Sequence, residues 1–392
     1  MTNEELLILI ERGISNFVPQ KQLRFEVHVT EHCNLNCKQC SHFSPLAEES
    51  YLDLCEYKRD CQRLSELFGG KMSVIQLLGG EPLLHPEINE IIRITRAAFP
   101  VGRIRVVTNG VLLPSMSEDF WETCRECHAE ISVSEYPIHF DYHGWGNKVE
   151  KEKGVAYTPE AFGRSKMMKL YPIRTKQMPG NDNARRNFFN CVSANSDCIA
   201  LKSGKMYTCC TVANVIHLKK HFNLDLPISD LDGVDIYAVK DGAELLEKLA
   251  NPVPFCEYCD VVNVGKCISC DWGVSRKDRY EWLAFEFKKE DIDYLKSREL
   301  EVYVFGAGSW GTQTVYRLQK EGIAIKSVLT TRKVEEGRTL LDVPVICTDD
   351  IQDISESSIC LVALVSPVMK GEVYPLLSGM GFGDIVPVSG LD

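Results

Sequence analysis

The sequence predicts an α/β protein with a metal-binding middle region, on three observations. Strand-like and helix-like patterns alternate from about residue 25 to 173, cysteines crowd residues 190–273, and a second strand–glycine–helix unit opens near residue 298. Alternating strands and helices predict a parallel sheet. In barrel-type sheets of this kind, function gathers at the carboxyl ends of the strands.

Each element has its own signature. FEVHVT (25–30), SVIQLLG (73–79), RIRVVTN (103–109) and EISVSEY (130–136) are β-rich runs. EYKRDCQRLSELF (56–68) and HPEINEIIRITRAAF (85–99) carry helical patterning between them. Residues 274–297 are charged and aromatic and predict a connecting helix. The expected division is a barrel-type domain over 1–189, a cysteine-rich region over 190–275, a linker helix over 276–297 and an α/β domain over 298–392.

Bulk properties narrow the function classes. A chain of 392 residues suggests about two or three domains, and 44% apolar with 25% charged residues fits a globular protein. A net charge of -11 argues against nucleic-acid binding, which needs a basic footprint. No apolar run approaches the roughly 18–20 residues that span a bilayer, so no membrane association is expected. The opening MTNEELLILIERGI lacks the basic start of a signal peptide and reads as an amphipathic helix. A cytoplasmic, reducing setting follows, in which the 17 cysteines are free thiols or metal ligands.

Cys33, Cys37 and Cys40 form a C-x3-C-x2-C loop after the strand ending at Thr30. Such a loop can bring three thiolates around one cubane. Four cysteines would saturate a [4Fe–4S] cluster, whereas three leave one iron open for chemistry. Spacing alone also admits zinc.

This loop, followed by Gly79-Gly80-Glu81-Pro82 after the second strand, resembles the core of the radical S-adenosylmethionine (radical SAM) superfamily. The resemblance is clear over 24–136. It implies a partial (β/α)6 TIM-type barrel and a catalytic [4Fe–4S] cluster on Cys33, Cys37 and Cys40. It further implies SAM chelated at the open iron, and a 5′-deoxyadenosyl radical that removes hydrogen from a substrate carbon. Gly79 and Gly80 are then expected to allow close backbone approach, and the Glu81–Pro82 turn to face the SAM ammonium. Thr108, Asn109 and Gly110 would reach the ribose or substrate, and Ser134 would touch SAM. The family usually places an aromatic residue just before the third cysteine. Here that position is Gln39, with His42 or Phe43 as substitutes for packing.

The second cysteine group resembles the twitch or SPASM extension of the same superfamily. Gly204-Lys-Met-Tyr-Thr-Cys209 reads as a hairpin ending in a ligand. The twitch pattern implies an auxiliary [4Fe–4S] cluster on Cys191, Cys209, Cys256 and Cys259. The rival is a zinc knuckle on Cys256, Cys259, Cys267 and Cys270, with Cys198 and Cys210 unassigned. Cys55, Cys61, Cys124 and Cys127 lie in helical patterns and read as buried thiols.

Glu135, His139, Asp141 and His143 follow the fourth strand and are candidate substrate contacts. His217 and His221, one helical turn apart, read as an exposed helix face. Gly306, Gly308 and Gly311 give G-x-G-x-x-G between strand and helix, the Rossmann context. The next strand ends Leu329-Thr-Thr-Arg332 instead of in a ribose-binding acid, which argues against ordinary NAD binding. This Rossmann-like domain also resembles modules of surface-polysaccharide enzymes. The expected enzyme takes a sugar, a nucleotide sugar or another polar small molecule and an electron from flavodoxin or ferredoxin. With 32 residues before Cys33, a leader-binding domain like that of peptide-modifying relatives is not expected. A peptide maturase and a non-catalytic metal-stapled binder are the alternatives.

Overall fold

The computed structural model describes residues 24–160, 171–177, 183–195, 199–261, 272–351, 354–364 and 366–389. The predicted N-terminal helix and Cys198, Cys267 and Cys270 lie outside the described residues. Two compact units result. The first takes the described residues within 1–166, 191–256 and 272–274, and the second takes those within 167–190, 257–271 and 275–392.

The first unit begins with the predicted alternation: β1 (Arg24–Thr30), α1 (Leu54–Phe68), β2 (Val74–Gly79), α2 (Ile88–Ala98), β3 (Arg103–Thr108), α3 (Glu118–Glu126), β4 (Ala129–Ser134), α4 (Tyr142–Lys151) and β5 (Tyr157–Glu160). These strands pair in sequence order and all run parallel. Local chemistry sets the helix ends. Asp53 caps α1 by accepting from Glu56 N, Ser117 caps α3 through Phe120 N, and Asp141 caps α4 through Gly144 N. Pro159 is tolerated in β5 because that strand is the sheet edge.

Alternation along the strands separates two faces. Phe25, Val27, Val29, Ile75, Leu77, Ile104, Val106 and Ile131 enter one hydrophobic core with residues of α1, α2, α3 and α4. All four helices therefore cover the same face, as they do outside a barrel. The opposite, inward face carries Glu26, His28, Gln76, Arg105, Glu130 and Ser132, and Glu26, His28, Gln76 and Ser132 are buried.

In chain order α5 (Asn183–Asn190) belongs to the second unit and α6 (Val192–Asn195) to the first. The cysteine-rich segment 190–275 is not a unit of its own. Its hairpin strands β6 (Ala200–Lys202) and β7 (Lys205–Tyr207) extend the first sheet, because β6 pairs parallel with β1. The turn residues Ser203 and Gly204 both have positive φ, 47° and 71°, as a two-residue hairpin of right-handed twist requires. Then come α7 (Cys210–Phe222), β8 (Val234–Asp235) and α8 (Gly242–Leu249). The finished order is β5-β4-β3-β2-β1-β6-β7-β8, with six neighbouring strands parallel. Residues 257–261 instead join the second unit, where Arg174 N bonds Tyr258 O and Asp260 N bonds Pro172 O.

The second unit contains α9 (Lys289–Ser297), β9 (Glu301–Phe305), α10 (Ser309–Lys320), β10 (Ile325–Thr330), β11 (Thr339–Leu340), β12 (Val343–Cys347), β13 (Ser358–Val362), α11 (Pro367–Gly379) and β14 (Asp384–Pro387). Its sheet runs β11-β12-β10-β9-β13-β14 and reverses direction of travel at β9, the order of a doubly wound sheet. Gly311 packs against the Gly306 carbonyl, which a Cβ would meet at 1.7 Å. The expected linker helix is shorter than its sequence suggests. Lys277 and Phe287 take left-handed φ of 55°, and Asp278 starts a single 3-10 turn, so only α9 is regular helix. Among the described residues, no helix is long and apolar enough to cross a membrane.

Candidate active site

The loop after β1 gathers the three cysteines as their spacing predicts. Cys33, Cys37 and Cys40 lie close enough for their charges to interact, with Cys37 buried and Cys33 and Cys40 half-buried. Burial pushes the Cys33 and Cys37 thiols up to about 12 and raises Cys40. Three neighbouring thiolates, partly withdrawn from water, are unfavourable without a cation among them. That donor set fits a cluster with three cysteine ligands.

The glycine motif serves this loop first. A Cβ on Gly80 would sit 1.8 Å from the His32 carbonyl oxygen, and one on Gly79 would sit 2.3 Å from the Thr30 oxygen. Without side chains the β2 end lies flat on the loop, with Gly80 N on Thr30 O (2.8 Å) and Glu81 N on His32 O (3.0 Å).

Glu81 is fully buried and braces three segments. Its carboxylate accepts from Leu83 N (3.1 Å), Thr108 Oγ1 (2.6 Å) and Asn109 N (2.9 Å), and its carbonyl accepts from Thr30 Oγ1 (2.9 Å). Burial outweighs these donors and lifts its pKa to about 7. The Thr108 hydroxyl is committed to that brace and also accepts from Gly110 N. Asn109 reaches the cluster loop instead: Nδ2 donates to Asn34 Oδ1 (2.7 Å) and lies 3.8 Å from Cys33 Sγ. Ser134 is buried on the same inward face, at the carboxyl end of β4.

Two aromatic residues that the sequence did not single out stand over the cysteines. Trp272 Nε1 donates to Cys37 Sγ at 3.3 Å, and the Tyr136 ring centroid lies 6.4 Å from that of Trp272. Burial, then the charges of the three cysteines, drives the Tyr136 hydroxyl well above its ordinary range. The signal for Tyr136 lay in the aromatic loop after β4. Nothing local marks Trp272. Phe43, named as a packing substitute, is fully buried, and His42 binds the Gly79 carbonyl through Nδ1 (2.9 Å). Gln39 is buried with a left-handed φ of 58°.

The other candidates separate. His139, Asp141 and His143 are exposed, and Asp141 serves as the α4 cap. His217 is not a free helix face: it meets Glu31 at 2.6 Å beside Lys202, while His221 is exposed. Cys61, Cys124 and Cys127 are buried as expected, whereas Cys55 is exposed in the first turn of α1. Cys191, Cys209 and Cys256 form a second group of interacting thiols. Burial raises all three, with Cys256 pushed up to about 12. Cys259 belongs to the second unit, where it bridges Ile173. Cys210 diverges from Cys209, its Sγ lying 3.8 Å from Ser41 Oγ.

Residues 27–138, which hold this loop and its brace, match the Radical SAM superfamily model. They are a radical SAM domain. Curated relatives match part of the chain. A GTP 3′,8-cyclase of Chlorobaculum tepidum is 37% identical over 87 residues, 22% of this chain and 26% of that protein. One from Clostridium acetobutylicum is 34% identical over 97 residues, 24% of this chain and 29% of that protein. The chain thus matches little more than a quarter of the length of these relatives. Among solved structures, BtrN in complex with AdoMet and 2-DOIA covers 67% of this chain and 98% of its own, at 17% identity. Its TM-score is 0.38. The radical SAM domain implies a [4Fe–4S] cluster and SAM, and Cys33, Cys37 and Cys40 are the donor set that fits them.

Proposed function

We propose that this protein is a radical SAM enzyme that abstracts hydrogen from a hydroxylated small molecule of the sugar class. The observation that carries the substrate reading is the inward face of the first sheet. Arg105 Nε lies 2.9 Å from Glu130 Oε1, Arg105 Nη2 donates to Ser132 Oγ (2.6 Å), and the same guanidinium pairs with Glu160. Acidic groups on this face at least match the basic ones. Such a surface suits a substrate rich in hydroxyl or amine groups rather than phosphate.

Bound at the cysteine loop, the cluster and SAM supply a 5′-deoxyadenosyl radical when a donor such as flavodoxin or ferredoxin provides an electron. The chain's residues do the rest. Cys33, Cys37 and Cys40 hold the iron, and Glu81 and Thr108 keep the loop at a fixed height over the strand ends. The Gly79–Pro82 turn, Asn109 and Ser134 receive SAM, and Tyr136 and Trp272 exclude water. Cys191, Cys209 and Cys256 hold a second iron–sulfur cluster. The Gly306–Gly311 turn of the second unit is a separate small-ligand or docking element.

Deuterium tracing tests the substrate class. Incubation with deuterated sugars and amino sugars that carry no phosphate is expected to place deuterium in 5′-deoxyadenosine. Transfer from a peptide, with none from any sugar tested, would overturn the reading.

A further inference from the structure

Glu26 and His28 lie on the inward face of β1, and His42 follows the cysteine loop. One Glu26 oxygen and one ring nitrogen from each imidazole lie within 4.8 Å of one another. Glu26 and His28 are only 5% and 4% exposed.

The hydrogen bonds fix where the protons are. His42 Nδ1 lies 2.9 Å from the Gly79 carbonyl, which can only accept, so Nδ1 carries the proton and Nε2 is bare. Asn214 Oδ1 accepts from Lys202 Nζ (2.9 Å), and Asn214 Nδ2 donates to Cys210 O (2.7 Å), which sets the amide's orientation. An N–H group therefore faces His28 Nε2 at 3.4 Å, so that nitrogen carries no proton and a metal there would take the place of the Asn214 N–H. Glu26 Oε1 has no hydrogen-bond partner, and the His28 nitrogen 3.7 Å away has no proton to offer. An unpartnered carboxylate oxygen and two proton-free imidazole nitrogens thus converge, with Glu26 and His28 buried and His42 half-buried. Burial lowers His28 to about 3 and raises Glu26. Arg24 lies two residues back on β1, while Lys202 and His217 are engaged with Glu31.

We infer that Glu26, His28 and His42 form a site for a divalent first-row cation of the zinc or manganese type, separate from the iron–sulfur cysteines. Two imidazoles and one carboxylate are a hard-to-borderline donor set that such ions accept. The Gly79 carbonyl on His42 Nδ1 is the outer contact that orients a metal-binding imidazole. Ligand bonds of about 2.0–2.2 Å require the three donors to close by about an ångström, within the reach of side-chain adjustment. Three protein ligands leave a coordination position open. The inference does not depend on the radical chemistry proposed above.

The test uses cluster-loaded protein equilibrated with Zn2+ and freed of excess. The wild type is expected to retain about one zinc per chain besides its iron. Glu26→Gln combined with His28→Gln should lose that zinc while keeping iron and thermal midpoint. Wild-type protein loaded with Mn2+ gives a readout that needs no variant: spin-echo modulation from directly bound imidazole nitrogen. Zinc retained by the double variant, or no imidazole coupling to bound Mn2+, overturns the site. A protonated carboxyl band that disappears in Glu26→Gln would then identify a proton as the occupant.

Discussion

Gly80→Ala isolates the link between the glycine motif and the cysteine loop. The added Cβ would lie 1.8 Å from His32 O, 2.3 Å from His32 C and 3.0 Å from Cys33 N. All three are backbone atoms, so no side chain can swing away. Ordinary contact near 3.5 Å requires the loop to retreat by about 1.5 Å. That movement breaks the Gly80 N–Thr30 O and Glu81 N–His32 O hydrogen bonds and shifts Cys33 from its partners. Overpacking of about 1–3 kcal/mol plus two lost hydrogen bonds at about 1 kcal/mol each gives about 3–5 kcal/mol against the loop. The remainder of the sheet is anchored by the core on its other face. Anaerobic reconstitution followed by iron and sulfide analysis should therefore show a loss of about four irons per chain. Helical circular dichroism should be retained. Gly273→Ala is the control, because its Cβ meets nothing within 4 Å although Gly273 O accepts from Lys38 N of the same loop. Full iron in Gly80→Ala would refute the claim that this glycine positions the cysteines.

Two further outcomes follow from the same contacts. Trp272→Phe removes the donor to Cys37 Sγ, and a lost hydrogen bond to a ligand sulfur disfavours the reduced cluster. A differential of about 1 kcal/mol corresponds to a midpoint lower by about 40 mV in redox titration; an unchanged midpoint would show that the contact is not made in the loaded protein. Replacing Cys191, Cys209 and Cys256 by Ala should remove about four irons and leave the complement of one cubane. Zinc lost in place of iron would mark that site as structural.

Most of the first unit was legible because its strands alternate. The four predicted strands fall within one or two residues of β1 to β4, since core residues on one face and polar residues on the other fix the register. The gathering of the three cysteines was legible from their spacing, whereas iron as their metal rested on the resemblance. What was hidden depends on distant pairing. Trp272 follows the cysteine loop by more than two hundred residues, and the bracing bonds of the buried Glu81 side chain to Thr108 and Asn109 come from the next strand. His217 looked like a helix surface until Glu31 arrived from β1's carboxyl end. The linker failed for a local reason: capping Asp278 and left-handed Phe287 interrupt a stretch whose composition is otherwise helical.

The most direct test of the account is formation of 5′-deoxyadenosine by anaerobically reconstituted protein supplied with SAM and dithionite. Wild-type protein is predicted to release 5′-deoxyadenosine and methionine. Cys37→Ala, which removes one of the three ligands while Cys191, Cys209 and Cys256 remain, is predicted to release neither. Cleavage of SAM by Cys37→Ala at the wild-type rate would contradict the assignment of the radical SAM cluster to Cys33, Cys37 and Cys40.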